Sequence, residues 1–181
     1  MIDVMVDLET VGNKPGCGIL SIGAVFFDAK AGELGAEHYE VVRLSTCEAV
    51  GLVSDQSTLD WWAGQSPEAR QVLTQAGKKS GNVEFTKALE NFDKFLAPAG
   101  RRSVRVWGNG SDFDNAILAV AYGKAGVQQG WEFWNNRCYR TLKGFVPQLK
   151  AVRTGTYHNA LDDAKTQAVH ACQLLKHLKL V

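Results

Sequence analysis

The run ILSIGAVFF, residues 19–27, is the most apolar stretch of this 181-residue chain. Apolar and β-branched side chains fill it almost without interruption, which is typical of a central strand covered on both faces. A helix that spans a bilayer needs about 20 apolar residues, so the run is far too short to cross a membrane. It therefore predicts the middle of a sheet that other elements cover on both sides.

The segments around this run predict the rest of the sheet. Residues 1–8 alternate in polarity, with Val4 and Val6 on one face. A turn over residues 29–35 leads into a third strand at about residues 38–44, so the chain opens as an antiparallel β-meander. Two more short strands are predicted further on, at residues 104–107 and 137–142.

Helices alternate with these later strands. The clearest is predicted over residues 83–96, where apolar positions recur every three to four residues after a polar loop at 78–82. The other helices are predicted at residues 57–65 with Ser57 as N-cap, from Ser66 with Pro67 in its first turn, from a cap at Ser111 or Asp112 to about Lys124, and at about residues 159–178. This order predicts one α/β domain over residues 1–181, with a mixed central sheet of about five strands flanked by helices.

The composition excludes several classes of protein. Hydrophobic residues make up 45% and charged residues 22%, proportions that a disordered chain does not have. Lys and Arg number 20 against 19 Asp and Glu, a formal charge of +1, so any nucleic-acid binding must come from a local site. The four cysteines are scattered and no signal peptide opens the chain, so we expect reduced thiols and a cytoplasmic location.

The first candidate site motif is Asp7-Leu8-Glu9-Thr10, at the end of the first predicted strand. Side chains alternate along a strand, so Asp7 and Glu9 project from the same face a few ångströms apart. Two adjacent carboxylates repel each other unless a cation lies between them. Two solvated acids at a strand end are the common alternative, and the motif is weak by itself.

The second motif is GNGSDFD, residues 108–114, between a strand and a helix. A dinucleotide-binding fingerprint would need a third glycine where the chain has Phe113, so that interpretation is discounted. Helix capping accounts for Asp112, since an acid is favoured at the N-terminus of a helix, but it does not account for Asp114. On a helical wheel Asp114 lies nearer than Asp112 to the apolar stripe.

The third motif is HNALDDA, residues 158–164, at the start of the last predicted helix. A helical wheel puts Asp163 beside the apolar stripe, where it leans over the sheet, and turns Asp162 outward. His158 precedes the helix and has to reach the same site from a loop. A histidine before a helix is more often a polar end residue, and that is the alternative for this motif.

Together the three motifs bring acids to the ends of three elements, one of them beside a histidine. Oxygen ligands without a nearby cysteine favour hard cations, Mg²⁺ or Mn²⁺, over zinc. Two such ions about 4 Å apart suit in-line attack on a phosphodiester. A histidine with a pKa near neutral can take the proton from the attacking water.

The order and spacing of these motifs resemble those of a known family. D-x-E-T at residues 7–10, F-D at 113–114 and H-x4-D at 158–163 are similar to the three exonuclease motifs of the DEDDh subgroup of the DEDD superfamily. The resemblance implies a ribonuclease H-like fold and 3′→5′ exonuclease activity. Trp61-Trp62 and the following QSPEAR at residues 65–70 look most like the phage and prophage exonuclease-VIII-like branch, which includes a mycobacterial-type exoribonuclease.

Carried over residue by residue, the resemblance implies four metal ligands and one general base. Asp7, Glu9, Asp114 and Asp163 would hold two Mg²⁺ or Mn²⁺ ions, with Asp7 bridging both. His158 would take the proton from the attacking water. This choice of Asp163 over Asp162 agrees with the helical wheel.

The substrate that the resemblance implies is a single-stranded 3′ end of DNA or RNA, released as nucleoside monophosphates. Such sites stack terminal bases on apolar or aromatic side chains and hold few phosphates, so a nearly neutral chain can bind a short strand. Many relatives read N-x-x-F-D, whereas the spacing from Asn109 to Asp114 is one residue longer here. Candidate substrate contacts are Leu8, Thr10, Trp61, Trp62, Asn109 and Phe113.

Several alternatives stay open at this point. One or both of the adjacent tryptophans can pack in the core instead of contacting substrate. The basic run of Arg101, Arg102 and Arg105 is more typical of a solvated edge than of a phosphate track. The whole chain could also be a catalytically silent nucleic-acid-binding or scaffold module. The resemblance raises a homodimer as a further partner, although the sequence shows no self-complementary apolar stripe.

Overall fold

The computed structural model describes residues 1–78, 80 and 82–181, so residues 79 and 81 of the predicted loop lie outside the described residues. The described residues form five strands and seven helices, with single 3-10 turns at Ala97–Ala99 and Phe133–Asn135. The strands are β1 (Asp3–Thr10), β2 (Ile19–Asp28), β3 (Glu33–Val41), β4 (Arg105–Gly108) and β5 (Asn136–Cys138). The helices are α1 (Leu44–Ala49), α2 (Gln56–Ala63), α3 (Gln71–Ala76), α4 (Phe85–Leu96), α5 (Asp114–Ala125), α6 (Tyr139–Gly144) and α7 (Ala160–His177).

One mixed sheet has the strand order β3-β2-β1-β4-β5. β2 pairs antiparallel with both β1 and β3, whereas β4 lies parallel to β1 and β5 parallel to β4. The antiparallel half needs only short turns, while the parallel half is entered through helical crossovers. The predicted α/β fold, with a five-stranded sheet that opens as an antiparallel meander, is confirmed.

Apolar side chains are buried on both faces of the sheet, as the continuous apolar run of β2 predicts. Residues of α4 and α5 cover one face, where Val6 of β1 lies in the core. Residues of α6 and α7 cover the other face, where Met5 packs in a cluster with Ala164, Ala168 and Ala171 of α7. Among the described residues, no helix combines the length and the apolarity that crossing a membrane requires.

The third strand begins and ends earlier than the sequence predicts. The Asp28 carboxylate accepts hydrogen bonds from two backbone N–H groups of the following turn, each at 2.9 Å. This tight turn lets β3 start at Glu33, which pairs with Asp28, so the turn predicted over residues 29–35 is too long. The strand ends at Val41, and Leu44 begins helix α1, which the sequence did not predict.

Two helix starts also differ from the prediction. Asp55 caps α2, because its carboxylate accepts a hydrogen bond from the backbone N–H of Ser57 at 3.0 Å, so Ser57 is not the N-cap. The next helix, α3, begins at Gln71 rather than at Ser66. Ser66 instead closes a turn before the helix, where its hydroxyl accepts a hydrogen bond from the backbone N–H of Ala69 at 3.2 Å.

The last strand is shorter than the predicted range of 137–142. β5 pairs only over its three residues with β4, which is itself a short strand. Beyond this pairing, Sγ of Cys138 accepts hydrogen bonds from the backbone N–H and the hydroxyl of Thr141, at 3.4 and 3.1 Å. These contacts cap a helix instead of extending a strand, so α6 begins at Tyr139.

Gly23 of β2 lies against the N-terminus of α7. A Cβ atom at this residue would overlap the backbone of Ala160 and Leu161. A glycine is therefore required for α7 to pack this closely on the sheet. The helix that carries the third sequence motif thus owes its position to a residue outside all three motifs.

We expect Gly23→Ala to lower the free energy of unfolding by about 1–3 kcal/mol, because the added methyl group overpacks a contact with backbone atoms. Gly123→Ala is the matched control, since a Cβ at residue 123 of α5 meets no atom within 4 Å. That change should raise the free energy of unfolding by about 0.5–1 kcal/mol. Urea unfolding followed by circular dichroism measures both, and equal effects would contradict the close approach of α7.

Candidate active site

Asp7 and Glu9 lie on the face of β1 that α7 covers. Their side chains project to the same side as Met5, which packs among the alanines of α7. Gln167 of α7 donates a hydrogen bond from Nε2 to Oδ1 of Asp7 at 2.7 Å. Gln167 is not among the site residues predicted from the sequence, although its position one helical turn after Asp163 is a signal for it.

The third motif meets β1 at the start of α7. One ligand atom each from Glu9, His158 and Asp163 lies within 4.8 Å of the other two. Asp163 is buried, whereas Asp162 is half-buried and accepts a hydrogen bond from the backbone N–H of Thr156 at 2.7 Å. Asp163 therefore turns toward the acids of β1, while Asp162 holds the loop that precedes the helix.

Asp114 reaches the same acids from the start of α5. Its side chain is buried, with Oδ1 accepting a hydrogen bond from the backbone N–H of Leu8 at 3.1 Å and Oδ2 from that of Asn109 at 2.7 Å. The cap predicted at Ser111 or Asp112 is wrong, because helical geometry begins only at Asp114 and the residue before it is the aromatic Phe113. The Asp114 carboxylate instead ties the turn after β4 to β1.

Three carboxyl groups of the site have raised pKa values. Burial is the larger cause for each, and neighbouring carboxylates raise the pKa values of Asp7 and Glu9 further. The pKa of Asp7 lies well above its ordinary value, that of Glu9 rises to about 8, and that of Asp114 rises to about 6. In the absence of a cation, the cluster therefore favours bound protons near neutral pH.

The donor set fits divalent cations. Carboxylate oxygens from β1, α5 and α7 converge, and buried carboxylates need a nearby positive charge to ionise fully. A carboxylate has about four acceptor positions, so Asp114 can bind a cation while keeping both of its backbone hydrogen bonds. The residues that could hold ions are Asp7, Glu9, Asp114 and Asp163, with His158 beside them.

His158 packs against two tryptophan rings. Its ring centroid lies 4.9 Å from that of Trp61 and 6.0 Å from that of Trp62, both edge-on. The Trp62 indole is anchored in turn, because Nε1 donates a hydrogen bond to the backbone carbonyl of Thr10 at 2.8 Å. Burial lowers the pKa of His158, and the charge of Arg153 lowers it further, so the neutral imidazole is favoured at pH 7.

An open cleft of about 820 Å³ lies over the acidic cluster. Asp114 lies just beneath its surface, while the other predicted metal ligands and His158 line it. Trp61 is 46% exposed and offers a ring to the cleft, whereas Trp62 is buried at 1% exposure. The predicted substrate contacts that line the cleft are Leu8, Thr10, Trp61, Trp62, Asn109 and Phe113.

Three basic side chains that line the cleft were not predicted from the sequence, namely Arg140, Lys143 and Arg153. Arg140 and Lys143 are three residues apart, a spacing that shares a face on a helix but not on the strand predicted there. Arg153 forms an ion pair with Asp163 and donates a hydrogen bond to the backbone carbonyl of Thr156 at 2.7 Å. It lies in an aperiodic loop, where the sequence carries no signal for it.

The basic run that the sequence analysis considered lies away from this cleft. Arg101 pairs with Glu132 at 3.0 Å, and Arg105 pairs with Asp3 on β1. Neither arginine is among the residues that line the cleft. This placement agrees with the solvated-edge interpretation of the run.

A family model described as the 3′-5′ exoribonuclease Rv2179c-like domain matches residues 2–175 of the chain. No curated protein matches this chain in sequence. The matched range contains all three acidic motifs and most of α7.

Solved nuclease structures share the fold at low sequence identity. The nuclease domain of 3′hExo, a DEDDh family member bound to rAMP, has a TM-score of 0.65 at 11% identity, over 97% of this chain and 92% of that chain. E. coli exonuclease I in complex with a dA16 oligonucleotide has a TM-score of 0.68 at 10% identity, over 97% of this chain but 40% of that chain. Exonuclease X in complex with 5′ overhanging duplex DNA has a TM-score of 0.53 at 13% identity, over 97% of this chain and 92% of that chain. The predicted ribonuclease H-like architecture is confirmed.

The raised pKa of Glu9 gives the stability of the metal-free protein a distinct pH dependence. Because the folded-state pKa of about 8 lies above the ordinary value of 4.5, the folded state binds the proton more tightly than the unfolded state does. The stabilisation by this proton is fully present below pH 4.5 and is lost as the pH rises to about 8. The slope for one group cannot exceed about 1.4 kcal/mol per pH unit.

We therefore expect the free energy of unfolding, measured with a chelator present, to fall between pH 6.5 and 8 in the wild type and to fall less in Glu9→Gln. The difference between the two proteins cancels contributions of groups that do not interact with Glu9, such as His38, whose pKa burial lowers to about 4. Glu33→Gln, at an exposed residue of β3, is the control. Parallel curves for wild type and Glu9→Gln would contradict the buried, proton-binding state of Glu9.

Proposed function

The chain belongs to the family of 3′-5′ exoribonuclease Rv2179c-like domains, and from this we propose that it removes nucleotides one at a time from the 3′ end of single-stranded RNA. The observation that carries the proposal is the convergence of buried carboxyl groups and His158 at one cleft. Single-stranded DNA is the second substrate to consider, because exonuclease I, which shares the fold, was solved with a DNA oligonucleotide.

Four carboxylates supply the metal site in this proposal. Asp7, Glu9, Asp114 and Asp163 would hold two Mg²⁺ or Mn²⁺ ions, and the raised pKa values of the first three support a demand for positive charge there. When bound, such ions lower the pKa of a water molecule and offset the charge on a leaving oxygen. Gln167 orients Asp7 through its 2.7 Å hydrogen bond.

His158 acts as the general base. Its lowered pKa keeps the imidazole neutral, so it can accept the proton of the attacking water. The water oxygen bonds to phosphorus while the bond from phosphorus to the O3′ atom of the preceding nucleotide breaks. The products are a nucleoside 5′-monophosphate and a strand with a new 3′-hydroxyl, whose proton comes from solvent.

Aromatic and apolar side chains of the cleft hold the terminal bases. Trp61 supplies an exposed ring next to His158, and Leu8 and Phe113 line the cleft on the β1 and α5 side. Stacking of this kind tolerates any base and contributes about 1–3 kcal/mol per base. We therefore expect the enzyme to show little preference among the four bases at the 3′ end.

A catalytically silent binding or scaffold module is the alternative function. It would keep the cleft without binding metal, and Mn²⁺ calorimetry separates the two functions directly. The metal-dependent enzyme should bind Mn²⁺ in the wild type and more weakly in Asp163→Asn. Absence of Mn²⁺ binding in the wild type would favour the scaffold.

We further predict a single exonuclease domain over residues 1–181, a phage or prophage origin, a cytoplasmic location and a homodimer. The origin rests on the likeness of Trp61-Trp62 and residues 65–70 to that branch.

We expect Asp163→Asn to abolish hydrolysis of 5′-labelled RNA and DNA oligomers in Mg²⁺, because it removes a charged ligand from the cluster. Asp162→Asn is the matched control: it keeps an oxygen that can accept the hydrogen bond from Thr156 and should stay within a few-fold of wild type. Gel separation of the labelled products measures rate, polarity and the RNA to DNA ratio together. Equal loss in both variants, or products that shorten from the 5′ end, would contradict the proposal.

His158→Ala should lower kcat by on the order of 10² or more, the contribution expected of a general base. Its Mn²⁺ affinity should change far less than that of Asp163→Asn, since His158 moves a proton in this proposal. Single-turnover rates and calorimetry on the same preparation test both statements. A loss of kcat below about tenfold would make His158 a bystander.

A further inference from the structure

A second cavity, of about 360 Å³, adjoins the acidic cleft on the side of α6. The two share Tyr139, Lys143 and Ala151 in their linings, so these three residues lie between them. The volume falls within the roughly 300–1,000 Å³ of ordinary ligand sites. We call this second depression the α6 cavity, and its remaining lining residues are Pro147, Leu149, Lys150 and His170.

Two lysines give the α6 cavity its charge. Lys143 lies at the junction with the acidic cleft, and Lys150 lines the α6 cavity alone. Arg140 adds a third cation on the neighbouring wall of the acidic cleft. Within the described part of the chain, none of the three forms an ion pair with a carboxylate.

Lys143 is held in place although it has no acidic partner there. Its Nζ atom lies 5.1 Å from the ring centroid of Tyr139 and 3.5 Å from Oδ1 of Asn109. Partial burial and the charge of Arg140 both lower the pKa of Lys143, so its positive charge is less stable there than in water. A cation kept in such a place is stabilised when an anion binds beside it.

Two buried side chains, Tyr139 and His170, lie at the floor of the α6 cavity. Tyr139 is buried beneath Lys143, and its hydroxyl lies 2.7 Å from Nδ1 of His170. Nε2 of His170 lies 3.0 Å from the backbone carbonyl of Leu149. Both ring nitrogens of His170 are thus occupied, so the cations that remain for a ligand are the two lysines.

We propose that the α6 cavity binds the strand on the 5′ side of the scissile bond, with Lys143 and Lys150 contacting successive phosphates. The assignment of the 5′ side rests on the proposed function, whereas the binding of single-stranded nucleic acid does not. A strand whose 3′ end lies in the acidic cleft passes Lys143 before it reaches Lys150. The chain then needs no large net charge, because the cations are concentrated along the path of the strand.

The test is the affinity of a fluorescently labelled single-stranded RNA decamer, measured by anisotropy with a chelator present over a series of salt concentrations. Lys143→Met keeps an unbranched side chain over Tyr139 and should weaken binding about fivefold. It should also reduce the slope of log affinity against log salt by about 0.7, the value for one lost single-strand phosphate contact. Lys150→Met should do the same, and as an exposed residue it provides a second variant if the first fails to fold.

Lys124→Met is the matched control, because Lys124 is exposed on α5 and lines neither depression. Wild-type affinity and salt slope in both Lys143→Met and Lys150→Met would overturn the proposal, and so would a wild type that binds no RNA under these conditions. Hydrolysis of the decamer by the wild type in Mg²⁺ is measured in parallel. Its failure alone would contradict the proposed function and leave the α6 cavity as a binding site.

Discussion

The loss of hydration by carboxyl groups gathered in one cluster is the constraint on which the rest of this structure depends. Glu9 and Asp114 are buried and Asp7 beside them is half-buried, and the cost of removing these groups from water appears as the raised pKa values of all three. The fold offsets part of this cost with fixed partners. Two backbone N–H groups donate hydrogen bonds to Asp114, and the side-chain amide of Gln167 donates one to Asp7. Arg153 forms an ion pair with Asp163. Carboxyl groups whose charged form is disfavoured this strongly are typical of functional sites.

The cleft above the cluster is polarised. Its floor is acidic, while α6 and the loop before α7 supply Arg140, Lys143 and Arg153 along its walls. Under the proposed function, a chain with a formal charge of +1 therefore offers a polyanion both a place for cations under one phosphate and direct contacts for the neighbouring phosphates. The close packing on Gly23 places the start of α7, which carries Asp163, against the sheet.

Much of the fold and of the acidic cluster could be predicted from the sequence, because periodicity reports which face of an element is buried. The alternation in β1 put Asp7 and Glu9 on one side, and the helical wheel turned Asp163 inward and Asp162 outward, as the structure has them. The turn after β2, the start of α3 and the short β5 were misjudged. In each case a local hydrogen bond set a boundary that propensity alone did not show.

The sequence by itself determined the α/β class, the order of the strands along the chain and the chemical type of the acidic site, since these follow from local patterns. The tertiary structure alone decided that Arg153 pairs with Asp163, that Trp61 and Trp62 pack on His158, and that Lys143 joins two depressions. Such contacts join residues far apart along the chain or in aperiodic loops. Their distances depend on how helices pack on the sheet, and no short-range pattern of side chains encodes that packing.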